Sequence, residues 1–281
     1  MHASQDSAPA RIAVLGSGTR TPVLPPHLAE LGDAHAVPVL CTTRLAAFAG
    51  NPYDRLVVDL AYVDMAERAA ADGCAAIFIN TYADYGIAAM RAALSVPVIG
   101  AGEAAMTLAA AGGRRFSIVT IWPPSMGFLY DERTRAVPAG AACVRVRHVS
   151  AEEELQRLGS ADDVQQRMAR REDAIVAAIV AECDRAVRED GAQAIVLGCT
   201  CMAPVGPAVA ARVAVPVIEG SRAGYRAAVA ALGEAPARRG PRTGRAGLIP
   251  AIVDAYVGAG TGTAPPATGE AAPADCPVCV S

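Results

Sequence analysis

The chain repeats itself, and the repeat limits the folds open to it. Asp72-Gly73-Cys74-Ala75-Ala76-Ile77-Phe78-Ile79-Asn80-Thr81 aligns without a gap on Asp190-Gly191-Ala192-Gln193-Ala194-Ile195-Val196-Leu197-Gly198-Cys199. Each segment leads to the same four residues, Val96–Ile99 and Val215–Ile218, with Pro97 sixteen positions after Thr81 and Pro216 seventeen after Cys199. Upstream, Arg11-Ile12-Ala13-Val14 and Arg115-Phe116-Ser117-Ile118-Val119 stand as matching first strands. Duplicated units of this kind are expected to pack as an approximate twofold pair around a shared cleft.

Short apolar runs alternate with helical periodicity along the chain. Strands are predicted at 12–15, 36–40, 75–79, 96–99, 116–121, 142–148, 194–197 and 215–218, and helices at 54–71, 85–94, 103–112, 163–189, 203–213 and 221–232. In the first long helix, Leu56, Leu60 and Val63 are expected to share the buried face. Continuous apolar strands between amphipathic helices indicate parallel sheets covered on both sides. The fold class is therefore α/β: two pseudosymmetric parallel-sheet domains with the active site in the cleft between them. The first half is expected over 11–112, completed by the helix at 221–232, and the second over 113–220. Residues 1–10 read as a flexible start. Residues 233–281 read as a basic linker, a short helix at Leu248–Val257 and a disordered tail rich in Ala, Pro, Gly and Thr.

Composition excludes several chemistries. The Lys+Arg total of 25 consists entirely of arginine, so the chain has no lysine. A pyridoxal phosphate imine and a P-loop both need one, and neither is available here. The net charge of −3 argues against a nucleic-acid partner, and no apolar run is long enough for a bilayer span. The polar start at Met1–Asp6 has no signal-peptide pattern, which leaves a cytoplasmic location as the expectation. No cofactor is expected. The expected partner is a small carboxylate or ureide substrate, with a homo-oligomer left open.

Chemistry is expected where equivalent strands end. In open parallel sheets, ligands lie beyond the carboxyl ends of the strands, so Thr81 and Cys199 are expected to face one another across the cleft. A thiolate there is a competent base for a carbon acid, whereas the Thr81 hydroxyl relays a proton and hardly abstracts one unaided. Bland readings stand beside these: Thr81 as the N-cap of a helix over 83–93, and Cys199 as a small core residue. Cys201 is expected to point away from Cys199 or into the core, and Cys74 to be structural. Ser17, Thr19 and Thr120 are candidate hydroxyl donors, and the backbone N–H groups of Tyr82 and Thr200 are candidate donors to an enolate-like oxygen. Tyr82 and Trp122 read either as pocket walls or as core.

These residues also resemble a family. Asn80-Thr81-Tyr82-Ala83-Asp84-Tyr85-Gly86, continued by Val96-Pro97-Val98-Ile99-Gly100-Ala101-Gly102-Glu103, is similar to the first-half signature of hydantoin racemases. Phe116–Thr120 and Val196-Leu197-Gly198-Cys199-Thr200 are similar to their second-half signatures. The wider group is the aspartate/glutamate/hydantoin racemase superfamily, over about residues 11–232. The resemblance implies a two-domain pseudosymmetric fold, no cofactor, and two cysteines as acid and base. Here Thr81 stands at the first of those cysteine positions and Cys199 at the second.

The leading expectation is a cofactor-independent racemase or epimerase that moves a proton alpha to a carbonyl in an amino acid or hydantoin-like substrate. The runner-up is an arylmalonate-type decarboxylase with Cys199 as its single proton donor, and a third reading is a non-catalytic small-acid-binding relative. Gly16-x-Gly18 lacks the third glycine of a dinucleotide fingerprint. His148 has no sequence link to either candidate, and Cys276-x-x-Cys279 is a lone pair too sparse for zinc.

Overall fold

The computed structural model describes residues 8–16, 24, 26–45, 48–153, 168, 170–171, 173–233 and 245–259. Ser17, Thr19, most of the expected helix before residue 173, and the tail with Cys276 and Cys279 lie outside them. Among the described residues, eight strands form two four-stranded sheets. The first holds β1 (Ala10–Gly16), β2 (Ala36–Thr42), β3 (Ala76–Ile79) and β4 (Val98–Gly100) in the order β2-β1-β3-β4. The second holds β5 (Phe116–Thr120), β6 (Cys143–His148), β7 (Ala194–Leu197) and β8 (Val217–Glu219) in the order β6-β5-β7-β8. Every pairing is parallel. The same order in both sheets is what the sequence repeat calls for, and each predicted strand is present within two residues of its expected ends.

The central strands β1 and β3 are apolar on both faces because each face is covered. Ala13, Leu15, Ile77 and Ile79 point to one side, against Val58, Tyr62, Met65 and Ala69 of α2 (Pro52–Ala71). Ile12, Val14, Ala76 and Phe78 point to the other, against Tyr225 and Ala228 of α8 (Gly220–Leu232). This is the period-2 alternation of a strand with two buried faces. Each fully buried Ile, Leu or Phe contributes about 1.5–3 kcal/mol by leaving water.

The two halves exchange helices. α8 follows the last strand of the second sheet yet packs on β3 and β4 of the first. Gly224 makes this approach possible, since a Cβ there would lie 2.2 Å from the Phe78 ring. In return α4 (Ala101–Ala110), which follows β4, buries Ala105, Met106 and Ala109 among Phe116, Ile118 and Val196 of the second sheet. α4 and α8 also pack on each other.

Several local expectations change. Leu56 is 66% exposed; the buried stripe of α2 runs through Val58, Tyr62, Met65 and Ala69, and Leu60 packs instead toward Val253. Val253 belongs to α9 (Leu248–Gly258), which lies on α2. The helix expected at 203–213 is a 3-10 segment, Thr200–Val205, followed by the one-turn α7 (Gly206–Ala210). Pro204 and Pro207 lack the N–H groups that a continuous helix would need. An additional helix, α5 (Gly127–Ala136), buries Leu129, Tyr130 and Arg133. The described residues also form α1 (Pro26–Ala29), α3 (Ile87–Ala93) and α6 (Asp173–Asp190).

Candidate active site at the facing strand ends

In both sheets the chain leaves the first strand toward one edge and returns to the other, so the carboxyl ends of β1/β3 and β5/β7 are topological switch points, where crevices open. The loops that leave β3 and β7 meet directly. Thr200 Oγ1 donates to the carbonyl of Asn80 at 3.1 Å, and Ser221 Oγ, in the first turn of α8, donates to Asn80 Oδ1 at 2.8 Å. Asn80 precedes Thr81 and Thr200 follows Cys199, so these bonds bring the loops that carry both candidates together.

On the β3 side, Thr81 is half-buried, and its hydroxyl makes no hydrogen bond among the described residues. The helix it was expected to cap starts later, at Ile87 behind Gly86, because the intervening loop docks on α4. Asp84, at φ 47°, accepts from the N–H groups of Gly102 and Glu103, both at 2.9 Å, and from Arg133 of α5, also at 2.9 Å. A Cβ on Gly100 would lie 2.2 Å from the Asp84 carboxyl carbon, and one on Gly102 would lie 2.1 Å from the Tyr82 carbonyl oxygen. The glycines of Gly100-Ala101-Gly102 thus clear the ground on which the Thr81 loop rests. Burial pushes the Asp84 carboxyl up to about 6, against the opposing pull of Arg133 and the two N–H bonds.

On the β7 side, the backbone before Cys199 is held by a chain of hydroxyls. Tyr130 of α5 donates to the Gly198 carbonyl at 2.9 Å, and the Thr120 hydroxyl lies 2.5 Å from the Tyr130 oxygen. The Trp122 N–H donates to Thr120 Oγ1 at 3.2 Å. Thr120 is fully buried. Expected as a donor to substrate, it spends its hydroxyl on positioning Tyr130. Thr200 likewise spends its side chain on Asn80.

Tyr82 and Trp122 both join the second-half core. Tyr82 stacks obliquely on Tyr130 at 5.3 Å, and Trp122 on Phe48 at 5.5 Å. The Tyr82 hydroxyl is buried without a hydrogen-bond partner among the described residues, and burial raises its pKa. His148 is held through Nδ1 on the Trp122 carbonyl at 2.8 Å. Cys74 is buried behind the strand, as expected.

The largest departure concerns Cys201. Instead of pointing away, its sulfur is bonded to that of Cys199, across a Cα–Cα distance of 5.2 Å. The Cys201 N–H also lies 3.3 Å from Cys199 Sγ. Cys199 is 9% exposed. In this state it carries no proton; once reduced, it presents a thiol at the end of β7 with one backbone N–H aimed at the sulfur. Sequence spacing could not foresee the bond, since alternation along a strand directs neighbours at i and i+2 only while the strand continues, and here it stops at Leu197.

Other features lie apart from this site. A groove of about 1240 Å³ opens along α4 and α8, walled by Ile99, Thr107, Ile218, Arg222 and Arg226, and neither Thr81 nor Cys199 lines it. Among the described residues, no cluster of three or more His, Cys, Asp or Glu is placed to hold a metal ion, and no helix is long and apolar enough to cross a membrane.

Comparison with known proteins bears on this geometry. The Asp/Glu/Hydantoin racemase family profile matches residues 13–228, which take in both sheets and both strand ends. The chain belongs to that family. Hydantoin racemase from Rhizobium meliloti is 34% identical over 163 residues, 58% of this chain and 62% of that protein, so the match spans less than two thirds of the relative's length. Among solved structures, allantoin racemase from Klebsiella pneumoniae superposes with a TM-score of 0.65 at 24% identity, covering 82% of this chain and 91% of the other. Arylmalonate decarboxylase superposes at 0.52 with 21% identity, covering 79% and 92%. At these identities the structural likeness establishes the fold: two parallel-sheet α/β domains of the racemase type.

Proposed function

We propose that this protein is a cofactor-independent racemase or epimerase that exchanges a proton on a carbon alpha to a carbonyl, in an amino acid or hydantoin-like substrate. The observation that carries this reading is the bond from Thr200 to Asn80, which joins the ends of two equivalent strands and brings the loops of Thr81 and Cys199 together. Family membership supports it, as do the names of the relatives, hydantoin racemase and allantoin racemase.

In the proposed mechanism, reduced Cys199 is the acid/base on one face of the substrate. Its thiolate takes the α-proton, leaving a planar enolate and a neutral thiol. The backbone N–H groups of Tyr82 and Thr200 receive the charge that develops on the enolate oxygen, with Ser17 and Thr19 as further donors to the substrate. A proton then arrives on the opposite face from the Thr81 hydroxyl, which takes its replacement from water, and the hydroxide so formed removes the proton from the Cys199 thiol. An alcohol does not titrate in the working range, so Thr81 relays and Cys199 abstracts. The reverse direction starts from the harder side, and the two enantiomers are expected to lose their α-protons at different rates.

A second reading has one specific observation in its favour. With an alcohol in place of one thiol, the site holds a single strong proton donor, which suffices for decarboxylation of a malonate-like acid. There the carbon–carboxylate bond breaks, carbon dioxide leaves, and Cys199 protonates the enediolate from one side.

The test is a substrate panel of hydantoins, allantoin, aspartate, glutamate and arylmalonates, offered to reduced protein in deuterated buffer. Deuterium incorporation with inversion at the α-carbon is the expected result. Carbon dioxide release without exchange would replace the first reading by the second. Tight binding with neither outcome would leave a non-catalytic relative.

A further inference from the structure

The Cys199–Cys201 bond is not explained by stability. A disulfide stabilises chiefly by restricting the unfolded chain, more so for longer loops, and this one spans a sequence separation of 2. It stands instead on the sulfur that the proposed chemistry needs. We propose that Cys199 and Cys201 form a reversible thiol–disulfide switch, a modification site that takes low-molecular-weight disulfides as oxidant and thiols as reductant. Closing it withdraws the acid/base thiol and opening it restores that thiol. This inference rests on the assignment of Cys199 as the acid/base.

In the dithiol, the Cys201 thiolate attacks one sulfur of a small disulfide, RSSR, and expels RS⁻, leaving a mixed disulfide on Cys201. The Cys199 thiolate then attacks Cys201 Sγ and expels the second RS⁻. The protein loses two electrons and two protons, and two RSH are formed. Reduction runs the same steps backward. Cys201 is the half-buried member of the pair and Cys199 the buried one, so an incoming thiolate meets Cys201 first. Cys199 then departs as thiolate, the form its proposed role requires.

The remaining described cysteines are poor competitors. Cys41, Cys74, Cys143 and Cys183 are free thiols. Burial pushes them up, to about 11 for Cys41 and Cys143 and about 12 for Cys183. Few of them are thiolate near neutral pH, and the thiolate is the nucleophile.

The experiment equilibrates the full chain in glutathione/glutathione-disulfide mixtures of stepped ratio. Peptide mass mapping follows the state of Cys199 and Cys201, separately from Cys276 and Cys279, while α-proton exchange is measured on the same samples. In the wild type, exchange is expected to fall at least a hundredfold as the Cys199–Cys201 peptide loses two hydrogens without gaining a glutathione adduct, and to return on reduction. Cys201→Ser and Cys201→Ala are expected to need no reductant for their exchange activity. Under oxidising ratios they are expected to carry a glutathione adduct in place of the internal bond. The proposal is overturned if wild type with the internal bond exchanges as fast as the dithiol, or if the bond never forms at any ratio. Should Cys199→Ser retain full exchange, the acid/base assignment fails on its own, while the mass mapping still reports whether the bond forms.

Discussion

The ends of β3 and β7 occupy equivalent places in equivalent sheets, yet they are held by different physics. The β3 end leads into a loop fixed by charge: Asp84 sits on the first turn of α4 and against Arg133, with both side chains buried. The β7 end is fixed by neutral hydroxyls, Tyr130 on the Gly198 carbonyl and Thr120 on Tyr130. The helices that follow differ in the same way. α4 is capped from a distance by Asp84, which needs Gly100 bare, while Glu219, at the position equivalent to Gly100, caps α8 itself through the N–H groups of Ser221 and Arg222 at 2.5 and 2.9 Å. One scaffold thus carries an alcohol on a charge-braced loop and a cysteine sulfur on a hydroxyl-braced one. α5 supplies both braces, Arg133 to one end and Tyr130 to the other.

That contrast can be broken from either side. The largest effect on stability is expected from Arg133→Met. It leaves the buried Asp84 carboxylate without its cation and should cost about 3–5 kcal/mol, read from the urea midpoint. Gly198→Ala is the next test. Its Cβ would lie 2.8–3.0 Å from Ile118, Thr120 and Tyr130, an overpacking worth roughly 1–3 kcal/mol, and the loss should appear in both denaturation and exchange rate. Thr81→Cys sharpens the comparison, because it gives both strand ends a thiol. Reduced Thr81→Cys is expected to speed exchange of the slower enantiomer by roughly tenfold and to draw the two rates together, as measured by deuterium incorporation from each enantiomer. The smallest effect is expected from Thr200→Val, which removes the bond to Asn80 and should cost about 1 kcal/mol.

The two halves were legible in the sequence because duplication repeats its apolar runs, and parallel strands buried on both faces leave unbroken hydrophobic stretches. The positions of Thr81 and Cys199 at strand ends followed from the same repeat. What α5 does was not legible. Met126, Leu129, Tyr130 and Val137 have helical spacing, but Arg133 occupies the buried face where hydrocarbon is expected, and only its partner Asp84, far away in sequence, makes that tolerable. Leu56 misled for the converse reason: it fits the apolar period of α2, yet no element among the described residues covers it. The start of α3 moved because Asp84 and Gly86 adopt left-handed backbone, Asp84 to reach α4 and Gly86 to pack on α2, a tertiary demand that local pattern does not express. The Cys199–Cys201 bond was hidden for want of the turn after Leu197, which brings two sulfurs together that an extended strand would separate.

The central claim is that the Cys199 sulfur is the group that removes the α-proton. Its most direct test is α-proton exchange into deuterated buffer by fully reduced wild type and by Cys199→Ser, on whichever substrate the panel identifies. A fall on the order of 10²–10⁴-fold in the variant, with its denaturation profile unchanged, is the expected result. Equal rates in the two proteins would contradict it.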